Sequence, residues 1–550
     1  MNKKWQTKEQ LTQLLTALVE HASVTGTSGE VALAEYMYYL LKDRDYFTAN
    51  PDYLNLHPVH DGRTFLSALV KQEGATETII LLSHFDVVNV MDYGDLTHLA
   101  FRPHELTKEL KTRLDTMPAN VAEDLESGEW LFGRGTMDMK AGLAVQFGML
   151  ERAMNGEFKG NLLLVTVPDE EANSAGMLSA VPVLNDLKKK WDLNFSACIN
   201  SEPMFARYPN DPSYYVYTGS IGKILAGFYC SGIESHVGEP FSGLNANLMV
   251  SEINRLMELN DSFCEKVGDE MTPPPTNLMQ KDLKEEYSVQ IPHTAVSLFN
   301  LLTMKQSITD VQNQLIKVAE LAASQIEDFY QKRSKSYQQY VSFDPLDVKV
   351  NVLTYKQLLK KAIEKVGESE VGRRINYLSA NRGDEGDRDF STKLVDDLAS
   401  LCKEYSPMIV VFYSPPFYPA VSSEHDAIVQ DTIQQLIHYA DKNYSIPLKS
   451  LNYFTGLSDL SFMQLNEKGE SLVELTSNMP LYGNHFYLPL NDMQSLNVPV
   501  LNVGPVGRDP HKWTERLHLP YTFEVLPDLL DYTITRIFEK ASEWSMKEKA

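Results

Sequence analysis

Histidines and carboxylates recur at five places along this chain. They are Ser83-His84-Phe85-Asp86, the glycine-rich Gly133-Arg134-Gly135-Thr136-Met137-Asp138-Met139-Lys140-Ala141-Gly142, and Pro168-Asp169-Glu170-Glu171. Ser201-Glu202-Pro203 and Gly504-Pro505-Val506-Gly507-Arg508-Asp509-Pro510-His511 complete the set. Two histidines with several carboxylates are the donors that zinc takes, or manganese and cobalt. One carboxylate can bridge two such ions about 3.5–4 Å apart, and the pair then activates a hydrolytic water. A spare carboxylate beside the pair can accept that water's proton.

Each segment alone has an ordinary reading. A histidine after a strand is usually structural, an adjacent Glu-Glu pair is usually solvated, and Ser-Glu-Pro by itself carries no meaning. The glycine-rich segment matches neither G-x-x-x-x-G-K-[ST] nor G-x-G-x-x-G, so it is no nucleotide loop. The weight lies in order and placement. Thr78–Ser83 (TIILLS), Leu162–Val167 (LLLVTV), Phe195–Asn200 (FSACIN) and Val498–Val503 read as buried strands. Each is followed by one of the segments, so four of the five place His or carboxylate at a strand end. In open α/β sheets ligands bind at the carboxyl ends of strands.

The remaining pattern supplies the scaffold. Leu11, Leu14, Leu15 and Leu18 mark one helix face, and Val31–Leu41 reads as a second helix. From about Tyr215 the texture changes. Tyr214–Tyr217, Ile224–Cys230, Thr294–Leu302 and Met408–Tyr413 read as strands, the last ended by Ser-Pro-Pro. Leu244–Leu259 and Ser307–Lys332 read as helices, the second opened by a capping box of Ser307 and Asp310. A helix near Ile428–Ala440 and a last one after Pro527 return to the first texture. The expected fold is α/β: a domain with a mixed, mainly parallel sheet (residues 1–216 and 419–550), interrupted by an inserted α+β domain (217–418).

Length and composition agree. A chain of 550 residues exceeds what one core usually serves. Its hydrophobic fraction of 43% and aromatic fraction of 10% fit a packed protein. With Lys+Arg 50 against Asp+Glu 74, the formal charge is −24 and no basic stripe stands out. That argues against nucleic acid or an anionic membrane as partner. Cys198, Cys230, Cys264 and Cys402 form no C-x-x-C pair, which points to a reducing compartment. The opening segment lacks a cleavage site and no apolar run is long enough to span a bilayer, so a cytoplasmic place is expected.

Taken together, these motifs resemble metallopeptidase family 20, the family of aminoacylases, glutamate carboxypeptidases, succinyl-diaminopimelate desuccinylase, acetylornithine deacetylase and bacterial dipeptidases. Within it the chain is most similar to the arginine-utilisation protein RocB branch. The likeness runs from Ser23-Val24-Thr25-Gly26 to beyond His511. It implies two divalent metal ions, zinc with manganese or cobalt as alternatives, bound by His84, Asp138, Glu171, Glu202 and His511. Asp138 would bridge, His84 would share an ion with Glu202, and His511 would share the other with Glu171. Asp86 would hold His84 in place, Glu170 would be the general base, and a cis peptide would follow Asp138. His236, in Gly232-x-x-x-His236-x-x-x-Pro240, would help stabilise the oxyanion. Gly456-Leu457-Ser458-Asp459 resembles the family's loop near the substrate, and Glu515 matches its closing motif.

Three features depart from the family. The stretch between His84 and Asp138 is longer than usual, so 91–129 is expected to be a surface insertion near the site mouth. The inserted domain, 217–418, which the resemblance makes a lid or dimerisation domain within the catalytic domain, is enlarged. The lid arginine that takes a substrate carboxylate has no single clear match, and Arg373, Arg374, Arg382 and Arg388 are all candidates. The expected activity is hydrolysis of an amide bond in a small peptide or N-acyl amino acid, in arginine or amino-acid catabolism, by a homodimer joined through the lid. The alternative reading is a catalytically silent metal-binding or regulatory protein on the same fold. A metal-dependent phosphoesterase would want basic groups converging on the site, and the motifs supply few.

Overall fold

The computed structural model describes residues 3–208, 211–284, 286–466 and 469–548. The chain divides into two compact units. One is Met1–Ile221 with Ala420–Leu465 and Leu488–Ala550; the other is Gly222–Pro419 with Asn466–Tyr487. The second unit therefore begins a few residues after the expected 217. It also includes 466–487, a segment expected in the catalytic domain.

The first unit is built on an eight-stranded sheet. Its order is Leu54–Pro58, Thr64–Val70, Asn161–Val167, Glu77–His84, Asn194–Asn200, Val500–Asn502, Tyr214–Tyr217, Leu448–Leu451. The four strands at its centre, from Asn161–Val167 to Val500–Asn502, are all parallel. The Leu54–Pro58 and Thr64–Val70 hairpin joins antiparallel at one side. The central strands are buried along nearly their whole length, which is why they read as unbroken apolar runs rather than alternating ones. Helices Lys8–Glu20, Lys140–Met154, Ala427–Tyr444 and Leu526–Glu548 contribute Leu15, Val145, Leu436 and Ile534 to one core with Ile79, Leu81 and Leu164. Thr7 and Gln10 form a reciprocal capping box at the first of these helices. No helix among the described residues is long and apolar enough to cross a membrane. The four cysteines are free thiols.

One strand end differs from the expectation. The Val498–Val503 run forms a strand only over Val500–Asn502. His511 does not follow it directly, because Gly504-Pro505 ends the pairing and Pro505 has no N–H to extend it. His511 instead lies on a loop between the short strands Gly507–Arg508 and Arg516–His518. These pair with Trp130–Phe132 in a separate three-stranded sheet. The 91–129 stretch folds on that sheet through the helices Pro103–Leu110 and Ala119–Ser127. Leu106, Leu110, Val121 and Leu125 pack with Trp130 and Phe132.

The second unit carries a five-stranded sheet, ordered Thr276–Asp282, Thr294–Thr303, Gly222–Ser231, Met408–Tyr418, Asn351–Thr354. Ser-Pro-Pro does not end the fourth strand. It continues to Tyr418 with a register shift between Ser414 and Tyr418, which lets the prolines sit out of the ladder. Helices Tyr355–Val366 and Asp387–Leu401 cover one face, where Leu358, Ala362, Val395 and Leu398 meet Leu225, Val296 and Val410. The helices Ala246–Met257 and Ile308–Tyr337 also pack on this sheet. Ser307 caps the latter by accepting the Asp310 N–H. Its own hydroxyl donates to the Asp310 carboxylate, which is thereby taken up by the cap side chain.

Candidate metal centre

Three neighbouring parallel strands deliver the first donors. His84 is the last residue of Glu77–His84, Glu170 and Glu171 follow Asn161–Val167, and Glu202 follows Asn194–Asn200. Asp138 stands just before the helix Lys140–Met154, and the Asp138–Met139 peptide is cis, as the family resemblance implies.

These side chains converge. His84 Nε2 lies 3.4 Å from Asp138 Oδ1 and 3.4 Å from Glu202 Oε1. His511 Nε2 lies 3.3 Å from Asp138 Oδ2 and 3.1 Å from Glu171 Oε2. The two oxygens of Asp138 thus face two different His–Glu pairs. Donor atoms of His84, Asp138 and Glu171 lie within 4.8 Å of one another. Zinc bonds of about 2.0–2.2 Å in a tetrahedron hold neighbouring donors about 3.3–3.6 Å apart. Three of the four separations fall in that range and the His511–Glu171 one lies just below it, so the donor set fits two divalent ions with Asp138 between them.

The electrostatics call for cations. Burial raises Glu170 and Glu202 well above the usual carboxylate range; His84 opposes it, while repulsion from Glu202, Asp459 and Glu171 adds to it at Glu170 and from Asp138, Glu171 and Asp459 at Glu202. Burial also raises Glu171, against the hydrogen bond from His511. Asp138 is held low despite its burial, because His511 and His84 both bond to it. Burial resists charge on His84, yet Glu202, Asp138 and Asp86 together raise its pKa well above the ordinary value. His511 is pushed up to about 10 by its bonds to Asp138 and Glu171.

Glu170 stands apart from the donor pairs. Its nearest approach to His84 Nε2 is 4.0 Å. Asp86 explains how adjacent glutamates can take different places. The Glu170 N–H donates to Asp86 Oδ1 at 3.0 Å and the Glu171 N–H to Oδ2 at 3.3 Å. The Thr25 hydroxyl donates to the same Oδ2 at 2.8 Å. Asp86 meets His84 chiefly through its main chain: Nδ1 is 3.1 Å from the Asp86 carbonyl oxygen and 3.5 Å from the carboxylate.

Several supporting residues escaped the sequence reading. Arg63 donates to both oxygens of Glu30 at 3.0 and 2.9 Å and pairs with Asp169 at 2.8 Å. The Asp169 N–H donates to Glu30 at 3.0 Å, so this group fixes the turn that presents Glu170. Arg134 donates to Glu515 at 2.8 Å and to Asp92 at 2.9 Å. Two glycines press on the Glu202 corner. A Cβ on Gly142 would lie 2.1 Å from the Ser201 carbonyl oxygen, and one on Gly504 would lie 1.8 Å from that of Glu202. Nothing local marks the charged residues, whose partners are remote in sequence; the glycines could have been suspected from their place beside two of the five segments.

The other expected residues fall as follows. Asp459 is buried beside Ser174, and burial lifts its pKa to about 7. Its charge bears on both Glu170 and Glu202. His518, the next histidine after His511, lies against Trp130 and Glu129. His236 belongs to the second unit. It is exposed, its backbone bridges to Gln290, and its Nδ1 accepts the Gly238 N–H at 3.1 Å. Three of the four arginines proposed for a substrate carboxylate are engaged there: Arg373 with Glu370, Arg374 with Asp397, Arg382 with Asp387. The exposed Arg388 meets no carboxylate among the described residues.

A sheet of this topology with two His–Glu pairs about one aspartate defines a metal-dependent hydrolase. The chain belongs to peptidase family M20/M25/M40, whose model matches residues 110–494. YqjN of Bacillus subtilis (strain 168) is 58% identical over 537 residues, covering 98% of each chain. Protein RocB of the same organism is 31% identical over 546 residues, covering 96% of this chain and 95% of its own. The M20 family metallo-carboxypeptidase Sso-CP2 from Sulfolobus solfataricus shares the fold. Its TM-score is 0.54 at 12% identity, with 96% of this chain and 99% of that one covered.

Proposed function

We propose that this protein is a two-metal amidohydrolase acting on a small peptide or an N-acyl amino acid. The observation that carries the reading is the division of Asp138 between His84–Glu202 and His511–Glu171. His84, Glu202 and Asp138 would hold one divalent ion, zinc or else manganese or cobalt, and His511, Glu171 and Asp138 the other. Ions held so lower the pKa of a bound water and polarise a carbonyl oxygen.

The protein groups then divide the remaining work. Glu170, bonded through its N–H to Asp86 and outside both donor pairs, takes the proton of the attacking water and passes it to the leaving nitrogen. The burial that raises its pKa favours the protonated form it needs in the second half of that cycle. His236 is the proposed hydrogen-bond donor to the oxyanion. Arg388 is the proposed partner of a substrate carboxylate, since the other three candidates are paired.

The deciding experiment is a hydrolysis screen of dipeptides and N-acyl amino acids with zinc, manganese or cobalt added. The resemblance to the RocB branch puts arginine-containing dipeptides and N-acyl-arginines first in that screen. Metal-dependent release of a free amino acid supports the reading; no cleavage of any amide across the panel with fully metallated protein sinks it.

A further inference from the structure

His84 and His511 are held by different means. The His84 side chain is 1% exposed and bonded to the Asp86 carbonyl. The His511 side chain is 49% exposed, so packing alone does not fix it. Its place depends on the backbone of its loop. That backbone is unusual: Asp509 and His511 both have positive φ, at 59° and 61°. Non-glycine residues stay in that region only where their surroundings hold them there.

The surroundings come from the 91–129 insertion. Asp124, on the Ala119–Ser127 helix, accepts from Arg516 Nε at 2.6 Å. Arg516 is fully buried. Its Nη1 bonds Asp509 at 2.5 Å and the Thr514 carbonyl at 3.0 Å. The Thr514 hydroxyl closes the ring by donating to Asp509 at 2.9 Å. One guanidinium therefore ties the insertion to both ends of the loop that carries His511. The apolar side agrees, because Trp513 packs against the insertion's own cluster around Leu106, Val121 and Trp130. Arg508 also donates to Asp124, at 3.0 and 2.8 Å, but it is half exposed and does not reach the loop interior.

We propose that the 91–129 insertion positions His511 through the Asp124–Arg516 pair, making Asp124 a positioning residue for the second cation. This rests on the two-metal reading above. The pair acts only on the His511 side of Asp138, so its loss weakens one cation position and spares the other. Partners that orient a metal ligand typically change affinity by about 10–100-fold when removed.

The test is metal stoichiometry by equilibrium dialysis and elemental analysis, with zinc as the probe. The wild-type protein is expected to bind two ions per chain. Asp124→Asn should keep one at unchanged affinity and bind the other about 10–100-fold more weakly. Arg508→Gln should behave as wild type. If Asp124→Asn does not fold, Arg516→Lys is read in the same way, because one ammonium cannot serve Asp124, Asp509 and Thr514 together. Two ions at wild-type affinity in the folded variant would overturn the proposal, as would an equal loss in Arg508→Gln. A wild-type protein that binds fewer than two ions would overturn the two-metal reading itself, and the proposal with it.

Discussion

The backbone N–H of Glu170 donates to a carboxylate oxygen of Asp86 at 3.0 Å, two positions beyond the histidine that Asp86 also steadies. The other oxygen of the same carboxylate takes the Glu171 N–H. One aspartate therefore registers a proposed ligand from one strand against the proposed base and a second ligand from the next. Asp86→Asn is the informative change, because an amide offers one acceptor where two N–H groups and a hydroxyl need two. The expected result is a 10–100-fold loss of metal affinity with a parallel fall in turnover. Unchanged metal retention under limiting chelator would show that the Glu170 turn holds itself.

The neighbouring glutamates should separate in their effects. Glu170→Gln keeps size and burial but cannot accept a proton, so kcat should fall by about 10²–10⁴ while metal content stays at the wild-type level. Glu171→Gln should instead lose metal, since Glu171 shares with Asp138 the nitrogen of His511. Full metal content in Glu171→Gln, or near-normal kcat in Glu170→Gln, contradicts the assignment.

These roles were readable to different depths in the sequence. His84, Glu170 and Glu202 stand where unbroken apolar runs end, and such runs are the mark of parallel strands buried on both faces. The position of His511 was less legible. Its core strand is only Val500–Asn502, and the loop that aims it belongs to a second sheet assembled from segments almost 400 positions apart, which leave no periodic trace. Arg63, Asp124 and Arg516 look like ordinary solvated charges until their partners are known. The segment 466–487 reads as part of the catalytic domain because contiguity is the natural assumption. Contacts remote in sequence, such as Tyr413 with Asn478, Gln312 with Glu474 and Phe390 with His485, place it in the second unit.

The pH response of the first unit's edge can be predicted from His57. Its Nε2 is 2.8 Å from the Ser67 hydroxyl oxygen and its ring stacks on Phe65. Burial, aided by the charge of Lys190, lowers its pKa from 6.5. A lowered folded pKa means that the unfolded chain binds the proton more tightly. The stability this group contributes is complete above about pH 6.5 and is lost as pH falls through the folded value. His57→Gln should therefore lose Tm less steeply than wild type between about pH 6.5 and 5. An NMR titration that gave His57 an ordinary pKa would remove the effect, and a raised one would reverse its sign.

His236 is tested by kinetics rather than by place. The proposed oxyanion donor would act on the transition state, so His236→Ala should lower kcat by about 10²–10³ and leave metal content and Tm unchanged. Its exposed side chain, which accepts the Gly238 N–H two residues on, gives the substitution little structural cost. An unaltered kcat on a cleaved substrate would make it an ordinary turn histidine.

Removal of the metal should show itself in stability before any substrate is known. Asp138, Glu170, Glu171 and Glu202 lie close together in a largely buried site, and burial, with repulsion from neighbouring carboxylates, raises three of the four. Ions that bind this cluster in the folded chain and not in the unfolded one stabilise the protein by mass action, about 4 kcal/mol when free metal is 1,000 times Kd. Dialysis against a chelator should thus lower Tm, and stepwise return of zinc should raise it continuously with the logarithm of free zinc. Asp138→Asn replaces one of the shared oxygens with an NH2 group, so its Tm should respond far less to added zinc than that of the wild type. The comparison separates specific binding from general salt effects, which would move both proteins together. Identical Tm values with and without chelator, in a protein shown by elemental analysis to have lost its metal, would mean that the cluster is stable as a set of hydrogen-bonded acids, and the two-cation reading of the site would fall.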